Sequence, residues 1–267
     1  MQLNVLRQYK QRRFTVKNNH GENDMKPDTI FLFQGDSITD GNRLKNGDPN
    51  HILGHGYVFC TASKLAEEYA GQHPYFFNRG VSGNRTSQIL DRWQEDALAL
   101  HPDVLTLLAG VNNILSCYSR EEGQLVSSEE LAQRYEEDIR KMLTASRKQN
   151  PSLKILLGLP FFYKADCWSE AFHKHTPAAE KEFTMNFRSI IQHNADEKMA
   201  DAVRLQQITR RIAADFQAQV LDFPAAIAAA LEKAPLDYWV WDGIHPTYAG
   251  HRLLAKVWLE GWEKIRA

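Results

Sequence analysis

Residues 29–40, TIFLFQGDSITD, decide the fold class, because a short apolar run leads directly into a glycine-containing turn that carries a serine. An apolar run such as Thr29–Gln34 is typical of a strand buried on both faces of a parallel sheet. Gly35 permits a tight turn after the strand, and Ser37 then opens a helix. We therefore expect the Ser37 hydroxyl at the carboxyl edge of the sheet, where α/β proteins bind their ligands.

Similar apolar runs recur along the chain and alternate with helical patterns. Apolar residues at a spacing of three to four predict helices at Tyr57–Tyr69, Ser128–Gln149 and Thr247–Ile265, with Ser127 and Glu130 as a capping box for the second. Strands that alternate with helices form parallel sheets covered on both faces. The sequence therefore predicts a three-layer αβα sandwich around a parallel sheet of about five strands. The further predicted strands are Tyr75–Asn78, Asp103–Ala109, Lys154–Leu159 and Gln219–Phe223.

The length of 267 residues fits one large domain, since a single core grows to roughly 250 to 300 residues before chains divide. Residues 1–28 end in a polar stretch rich in turn formers, and we expect them to form an arm that precedes the domain at 29–267. Residues 163–184 carry aromatic and histidine residues without a clear period. We expect that stretch to form a wall or lid over the site.

Composition excludes several classes of partner. The chain has 32 lysines and arginines against 33 aspartates and glutamates, so no net field favours nucleic acid or an anionic membrane. No segment approaches the roughly 18 apolar residues that span a bilayer, and the first residues lack the apolar part of a secretory leader. Three cysteines, Cys60, Cys117 and Cys167, lack metal-ligand spacing and are expected to be reduced. These features favour a cytoplasmic protein with a neutral or weakly polar substrate.

A second chemical motif lies near the other end of the chain, where Asp242 and His245 are three residues apart in WDGIHP. A serine is a poor nucleophile at neutral pH unless a base accepts its proton. A carboxylate that holds the imidazole Nδ1 proton leaves Nε2 free to act as that base. We therefore predict a triad of Ser37, His245 and Asp242.

Ester hydrolysis also needs donors for the oxyanion that forms on the carbonyl oxygen. Turns with suitable donors follow the second and third predicted strands, at Asn78–Asn84 and Gly110–Asn113. The predicted donors are the backbone N–H groups of Ser37 and Gly83 and the side-chain amide of Asn112. Loss of one such donor typically costs about 3 to 4 kcal/mol of transition-state stabilisation.

At these residues the chain resembles the SGNH (GDSL-type) hydrolases, named for a serine, glycine, asparagine and histidine in four blocks. The resemblance extends from about Thr29 to Ile265 and implies a flavodoxin-like sandwich with the site residues named above. Within the family, the chain looks most like bacterial carbohydrate acetylesterases, including those that act on acetylated xylan. The phrases that carry this likeness are QGDSITD, LGHGYV, NRGVSGNRT, DRW, PDVLTLLAGVNN and DGIHPTYAGH.

One position departs from the family pattern, and several others have open roles. The third block usually ends in an acidic residue, and Asn113 replaces it here. Asp36 has two possible roles, a substrate contact or, as we favour, a hydrogen bond to the turn that fixes Ser37. Trp241 and Arg85 are candidate substrate contacts, and Arg92 is expected to form a structural ion pair.

The predicted reaction is two-step acyl transfer, which requires no cofactor. The expected substrate is a small-molecule or oligosaccharide ester, with acetyl as the acyl group. A metal site at His51 and His55 is not expected, because the residues between them indicate a loop without a carboxylate partner. No Gly-x-Ser-x-Gly motif supports an α/β-hydrolase fold.

Two alternatives remain from the sequence. One is a lysophospholipase or thioesterase on the same scaffold, and the other is a non-catalytic carbohydrate-binding protein. We also expect a homo-oligomer in which the arm takes part.

Overall fold

A computed structural model of the protein describes residues 25–46, 48–118, 127–165 and 191–266. Its centre is a five-stranded, all-parallel sheet. The strands are β1 (Ile30–Gly35), β2 (Tyr75–Asn78), β3 (Val104–Leu108), β4 (Lys154–Gly158) and β5 (Gln219–Leu221). Their order in the sheet is β2-β1-β3-β4-β5, the flavodoxin-like order of a doubly wound sheet.

Helices cover the sheet, as the alternating pattern predicts. The helices of the described residues are α1 (Ser37–Asp40), α2 (Tyr57–Glu68), α3 (Thr86–Asp91), α4 (Trp93–Asp96), α5 (Val111–Cys117), α6 (Ser128–Gln149), α7 (Ala195–Asp215), α8 (Phe223–Ala230), α9 (Leu236–Trp239) and α10 (Tyr248–Ile265), with short 3₁₀ turns at Ala70–Gln72 and Leu98–Leu100. One group of packed helices contains α2, α8 and α10, and a second contains α3, α5, α6 and α7.

The core lies between the sheet and these helices. Every residue of β3 is buried, which explains its unbroken apolar sequence. Trp258 of α10 lies fully buried against β1, with its ring centroid 5.4 Å from that of Phe33, and its indole N–H donates to the Thr106 hydroxyl of β3 at 2.8 Å. These contacts fix the helix that follows the predicted catalytic histidine against the centre of the sheet.

The three-layer fold and all five predicted strands are confirmed, with ends that shift by one or two residues. The Ser127 hydroxyl caps α6 by accepting from the Glu130 N–H at 3.2 Å, whereas the Glu130 carboxylate pairs with Arg134. Met25, the first described residue, is buried in the core. Residues 1–24 of the predicted arm and residues 166–184 of the predicted lid lie outside the described residues.

In the described ranges, no helix combines the length and apolar character that crossing a membrane requires.

Two of the three cysteines lie in the described residues, and both are free thiols. Cys60 is half-buried and Cys117 is buried, while Cys167 lies outside the described residues.

Candidate active site

The strand order places the predicted site residues together. β1 lies between β2 and β3, so the segments that follow these three strands meet at one stretch of the sheet's carboxyl edge. The chain turns in opposite directions from β1 to reach its two neighbours, and such switch points form the ligand crevice of open α/β sheets. Ser37 follows β1, Gly83 follows β2 and Asn112 follows β3.

Ser37, His245 and Asp242 form a continuous hydrogen-bonded chain. The Ser37 Oγ lies 2.8 Å from His245 Nε2, and His245 Nδ1 lies 2.7 Å from Asp242 Oδ2. The Asp242 side chain is 5% exposed and that of His245 is 33% exposed, so the carboxylate is shielded while the ring reaches solvent. This is the arrangement in which a carboxylate orients a histidine that activates a serine.

The loop that carries Asp242 and His245 has its own supports. The Asp242 Oδ1 accepts from the backbone N–H groups of Ile244 at 2.9 Å and His245 at 2.8 Å. Gly243 has φ +92°, and a Cβ there would lie 2.1 Å from the carbonyl oxygen of Tyr163. Glycine is therefore required at the centre of the loop, both for its backbone conformation and for its close approach to Tyr163.

The charges of the triad shift the pKa values in opposite directions. Burial by itself disfavours the charged form of each group, but the hydrogen bond and charge of Asp242 outweigh it and raise the pKa of His245 above its usual value. In the same way, burial of Asp242 is outweighed by the hydrogen bond and charge of His245 and by two backbone N–H groups, so its pKa is lowered. Asp242 therefore stays ionised, and His245 gains basicity.

Asp36 supports the turn that presents Ser37. Its side chain accepts from the Ile38 N–H at 3.1 Å and caps α1, and the residue is only 1% exposed. Burial raises the pKa of Asp36 to about 6, and the hydrogen bond from Ile38 and the charge of His245 partly oppose that rise. This is the geometry of the capping role favoured from the sequence, and a substrate contact by Asp36 stays a prediction.

The three predicted oxyanion donors lie on segments that follow adjacent strands at the same edge of the sheet. The Ser37 N–H is the first amide of α1, a position whose N–H has no acceptor within its own helix. Gly83 is exposed at φ +82°, with nothing within 4 Å of the position that a Cβ would occupy. The Asn112 side-chain amide donates to the Asn84 carbonyl at 3.2 Å, which holds the amide beside the Gly83 turn. Their role in oxyanion binding stays a prediction.

Asn113, which departs from the family pattern, is buried and fully engaged in structure. Its Oδ1 accepts from the Thr86 N–H at 3.1 Å, and its Nδ2 donates to the Thr86 hydroxyl at 2.8 Å. That hydroxyl donates in turn to Asp138 of α6 at 2.8 Å. The acidic partner of this cluster therefore comes from Asp138, and Asn113 fixes the start of α5 to the start of α3.

The other predicted substrate residues lie close to these loops. The Trp241 N–H donates to the His245 carbonyl at 2.7 Å, and its half-buried ring meets the Tyr248 ring edge-on at a centroid distance of 6.2 Å. Tyr248 is 77% exposed. Arg85 precedes α3 and lines a pocket of about 240 Å³ together with Ser87 and Ser116. Substrate contact by Trp241 and Arg85 stays a prediction.

Three residues that the sequence analysis did not single out support the site, two through their side chains and Asn84 through its backbone carbonyl. Gln192 Nε2 donates to the backbone carbonyls of Asp242 at 2.8 Å and Tyr163 at 3.2 Å. The buried His251 accepts from the Tyr57 N–H at the start of α2, and Asn84 joins the Gly83 turn to Asn112. These contacts join positions from 28 to 194 residues apart, a separation at which local sequence patterns carry no signal.

Within the described residues, no three His, Cys, Asp or Glu side chains lie together in a way that could hold a metal ion. His51 and His55 lie in the loop before α2.

A flavodoxin-like sheet with a Ser–His–Asp arrangement at its carboxyl edge defines a hydrolase site.

The chain belongs to the GDSL-like lipase/acylhydrolase family, whose model matches residues 33–253. It is similar to the acetylxylan esterase of Geobacillus stearothermophilus, with 26% identity over 246 residues, which cover 89% of this chain and 96% of the relative. The protein is therefore a carboxylic ester hydrolase, close to the xylan acetylesterases of the SGNH class.

Solved structures agree with this fold. A Parabacteroides merdae protein described as a GDSL-like lipase is 32% identical, with a TM-score of 0.70, and the match covers 89% of this chain and 96% of that one. The acetylxylan esterase of G. stearothermophilus aligns with a TM-score of 0.69 at 23% identity, covering 90% of this chain and 96% of that one. At that identity the second likeness concerns the fold alone.

Proposed function

We propose that the protein removes acetyl groups from O-acetylated carbohydrate by a serine-based acyl-enzyme mechanism. The observation that carries the mechanism is the hydrogen-bonded chain of Ser37 Oγ, the two His245 nitrogens and Asp242, at 2.8 and 2.7 Å. The acyl group and the carbohydrate are suggested by the acetylxylan esterase relative.

The first half-reaction acylates Ser37. Its Oγ attacks the ester carbonyl carbon while His245 Nε2 takes the hydroxyl proton. The carbonyl oxygen becomes an oxyanion and accepts from the Ser37 and Gly83 N–H groups and the Asn112 amide. When the carbonyl re-forms, the bond to the sugar oxygen breaks, and His245 gives its proton to that oxygen. The sugar leaves as a free alcohol.

The second half-reaction releases the acyl group. A water molecule loses a proton to His245 Nε2 and attacks the acyl carbon. The oxyanion that forms again accepts hydrogen bonds from the same three donors. Collapse breaks the bond to Ser37 Oγ, which takes the proton back from His245. Acetic acid leaves and the enzyme returns to its starting state.

One feature beside the triad supports a sugar as the leaving group. Beside the triad, Trp241 and the exposed Tyr248 present an aromatic surface, and aromatic rings offer sugars an apolar face.

The test compares wild type with Ser37→Ala on p-nitrophenyl acetate, butyrate and octanoate and on acetylated xylo-oligosaccharides. We expect a preference for acetate, release of acetate from the oligosaccharides and loss of both activities in Ser37→Ala. A preference for octanoate with no sugar deacetylation would favour a lysophospholipase or thioesterase. Equal slow rates of hydrolysis in both proteins would mean that Ser37 is not the nucleophile.

The aromatic surface has its own variant. Trp241→Ala is expected to raise KM for acetylated xylo-oligosaccharides more than KM for p-nitrophenyl acetate, because an oligosaccharide has several sugar rings that can contact the indole, whereas p-nitrophenyl acetate has a single ring. An equal effect on both substrates would contradict a sugar contact at Trp241.

A further inference from the structure

Asn84 connects two of the predicted oxyanion donors. It directly follows Gly83, and its N–H donates to the Val81 carbonyl at 3.1 Å, which closes the Gly83 turn. Its carbonyl accepts from Asn112 Nδ2 at 3.2 Å. An amide NH₂ group has two N–H donors, so this bond engages one and leaves the other to point elsewhere. The placement of both donors thus depends on where Asn84 is held.

Arg92 holds the side chain of Asn84. Its Nε donates to Asn84 Oδ1 at 2.9 Å, and its Nη1 donates to the Arg79 carbonyl at 2.8 Å. Arg79 directly follows β2, at the start of the loop that reaches Gly83. The guanidinium therefore spans this loop from its first residue to the residue after its glycine.

The same guanidinium also contacts the strand that leads to the nucleophile. Its Nη1 lies 3.1 Å from Oε1 of Gln34, a fully buried residue of β1 three positions before Ser37. The Arg92 side chain is 19% exposed, so these bonds are largely shielded from water. One planar cation thus contacts the segment before Ser37 and the segment around Gly83.

We propose that Arg92 is a positioning residue of the oxyanion hole, acting on Gly83 and Asn112 through Asn84. The proposal rests on the proposed function and adds a residue to its machinery. The planar fork of arginine is suited to several acceptors in fixed directions, whereas the single ammonium of lysine is not. Lysine at this position would keep the charge but lose the simultaneous contacts to Asn84 and Arg79.

A simpler role for Arg92 is the structural ion pair that the sequence predicted without a partner, which the structure forms with Asp96, four residues further along, at 2.7 Å. Neutralising Asp96 removes that ion pair and leaves the Asn84 contact in place. Asp96→Asn is therefore the matched control, because it separates structural stabilisation from an effect on the oxyanion donors.

The test measures kcat and KM for p-nitrophenyl acetate in wild type, Arg92→Lys, Asn84→Ala, their double variant and Asp96→Asn, with thermal unfolding of each. Arg92→Lys and Asn84→Ala are expected to lower kcat about tenfold or more with KM nearly unchanged, since oxyanion donors act in the transition state. The double variant is expected to lose no more than the worse single variant, because both changes break one connection. Asp96→Asn is expected to keep the wild-type kcat.

A second readout follows the oxyanion hole more directly. A phosphonate that modifies Ser37 forms a tetrahedral adduct whose phosphoryl oxygen accepts from the oxyanion donors. The rate of this modification in Arg92→Lys is therefore expected to fall by the same factor as kcat.

Three results would overturn the proposal. They are a wild-type kcat in folded Arg92→Lys, an Asp96→Asn loss equal to that of Arg92→Lys, and losses that multiply in the double variant. Absence of Ser37-dependent hydrolysis in the wild type would overturn the proposed function as well, and so differs from these outcomes.

Discussion

The side chain of Asn113 forms two hydrogen bonds with one residue, Thr86. Its Oδ1 accepts from the Thr86 N–H, and its Nδ2 donates to the Thr86 hydroxyl. Because the Thr86 hydroxyl donates its single proton to Asp138, it can only act as an acceptor towards residue 113. An amide satisfies this requirement and a carboxylate does not.

Asn113→Asp is therefore expected to destabilise the protein by about 1 to 2 kcal/mol at pH 7. Two carboxylates would face one hydroxyl, and burial already raises the pKa of Asp138. A raised carboxyl pKa penalises the ionised folded state, so the deficit should shrink as the pH falls towards 5. Chemical denaturation at both pH values measures it.

The exchange variant Asn113→Asp with Asp138→Asn supplies the control, because it restores one carboxylate and one amide around Thr86. We expect it to recover most of the lost free energy of unfolding. An Asn113→Asp protein as stable as wild type at pH 7 would contradict the account of this cluster.

His251 links the helix after the predicted catalytic histidine to the start of α2, where its Nδ1 accepts from the Tyr57 N–H at 3.1 Å. Burial, together with smaller contributions from the nearby His55 and His245, lowers the pKa of His251 to about 4. A lowered histidine pKa means that the unfolded chain binds more protons between pH 6.5 and 4. Stability is then present above pH 6.5 and declines as the pH falls through that window, by about 3 kcal/mol in total.

The variant His251→Asn keeps an acceptor for Tyr57 but does not titrate. We expect its free energy of unfolding to decline less than that of wild type between pH 7 and 4. His51→Asn, in which an exposed histidine is lost, is the matched control. Parallel stability curves for wild type and His251→Asn would show that His251 does not cause the acid sensitivity.

Asp242→Asn tests the coupling of carboxylate and imidazole. Without the charge that raises the pKa of His245, burial dominates and lowers it. The acid limb of kcat/KM is therefore expected to move to lower pH, while the rate falls by a factor on the order of 10² to 10⁴. Hydrolysis of p-nitrophenyl acetate from pH 5 to 9 measures both effects. An acid limb of kcat/KM at the same pH as in wild type would mean that this limb does not report the titration of His245.

Gly243 and Gly83 share a positive φ but differ in their surroundings, since only Gly243 faces a carbonyl oxygen at 2.1 Å from an added Cβ. Gly83→Ala is expected to cost about 1 to 2 kcal/mol for its backbone strain alone. Gly243→Ala carries the same strain and must also displace Tyr163, so its loss should be clearly larger. Equal losses by chemical denaturation would mean that the Tyr163 contact is unimportant.

The sequence predicted those parts of the fold that local patterns encode. The apolar run of β1 and the glycine that ends it predict Ser37 at the carboxyl edge of the sheet, where the structure has it, and the three-residue spacing of Asp242 and His245 matches their hydrogen bond. The order of the strands then brings Gly83 and Asn112 to the same edge.

The supporting contacts were not predictable in this way. Arg92 was expected only to form an ion pair, because its contacts with Asn84 and Gln34 depend on how two strands and a helix pack. The role of Asn113 likewise depends on Asp138, a residue of a distant helix that no local spacing connects to it.

The most direct test of the central claim, that His245 and Asp242 activate Ser37, is mass spectrometry after treatment with a fluorophosphonate. We expect one adduct per chain on the peptide that contains Ser37, with labelling greatly slowed in His245→Ala and absent in Ser37→Ala. Labelling of another residue, or equal labelling rates in wild type and folded His245→Ala, would contradict the account.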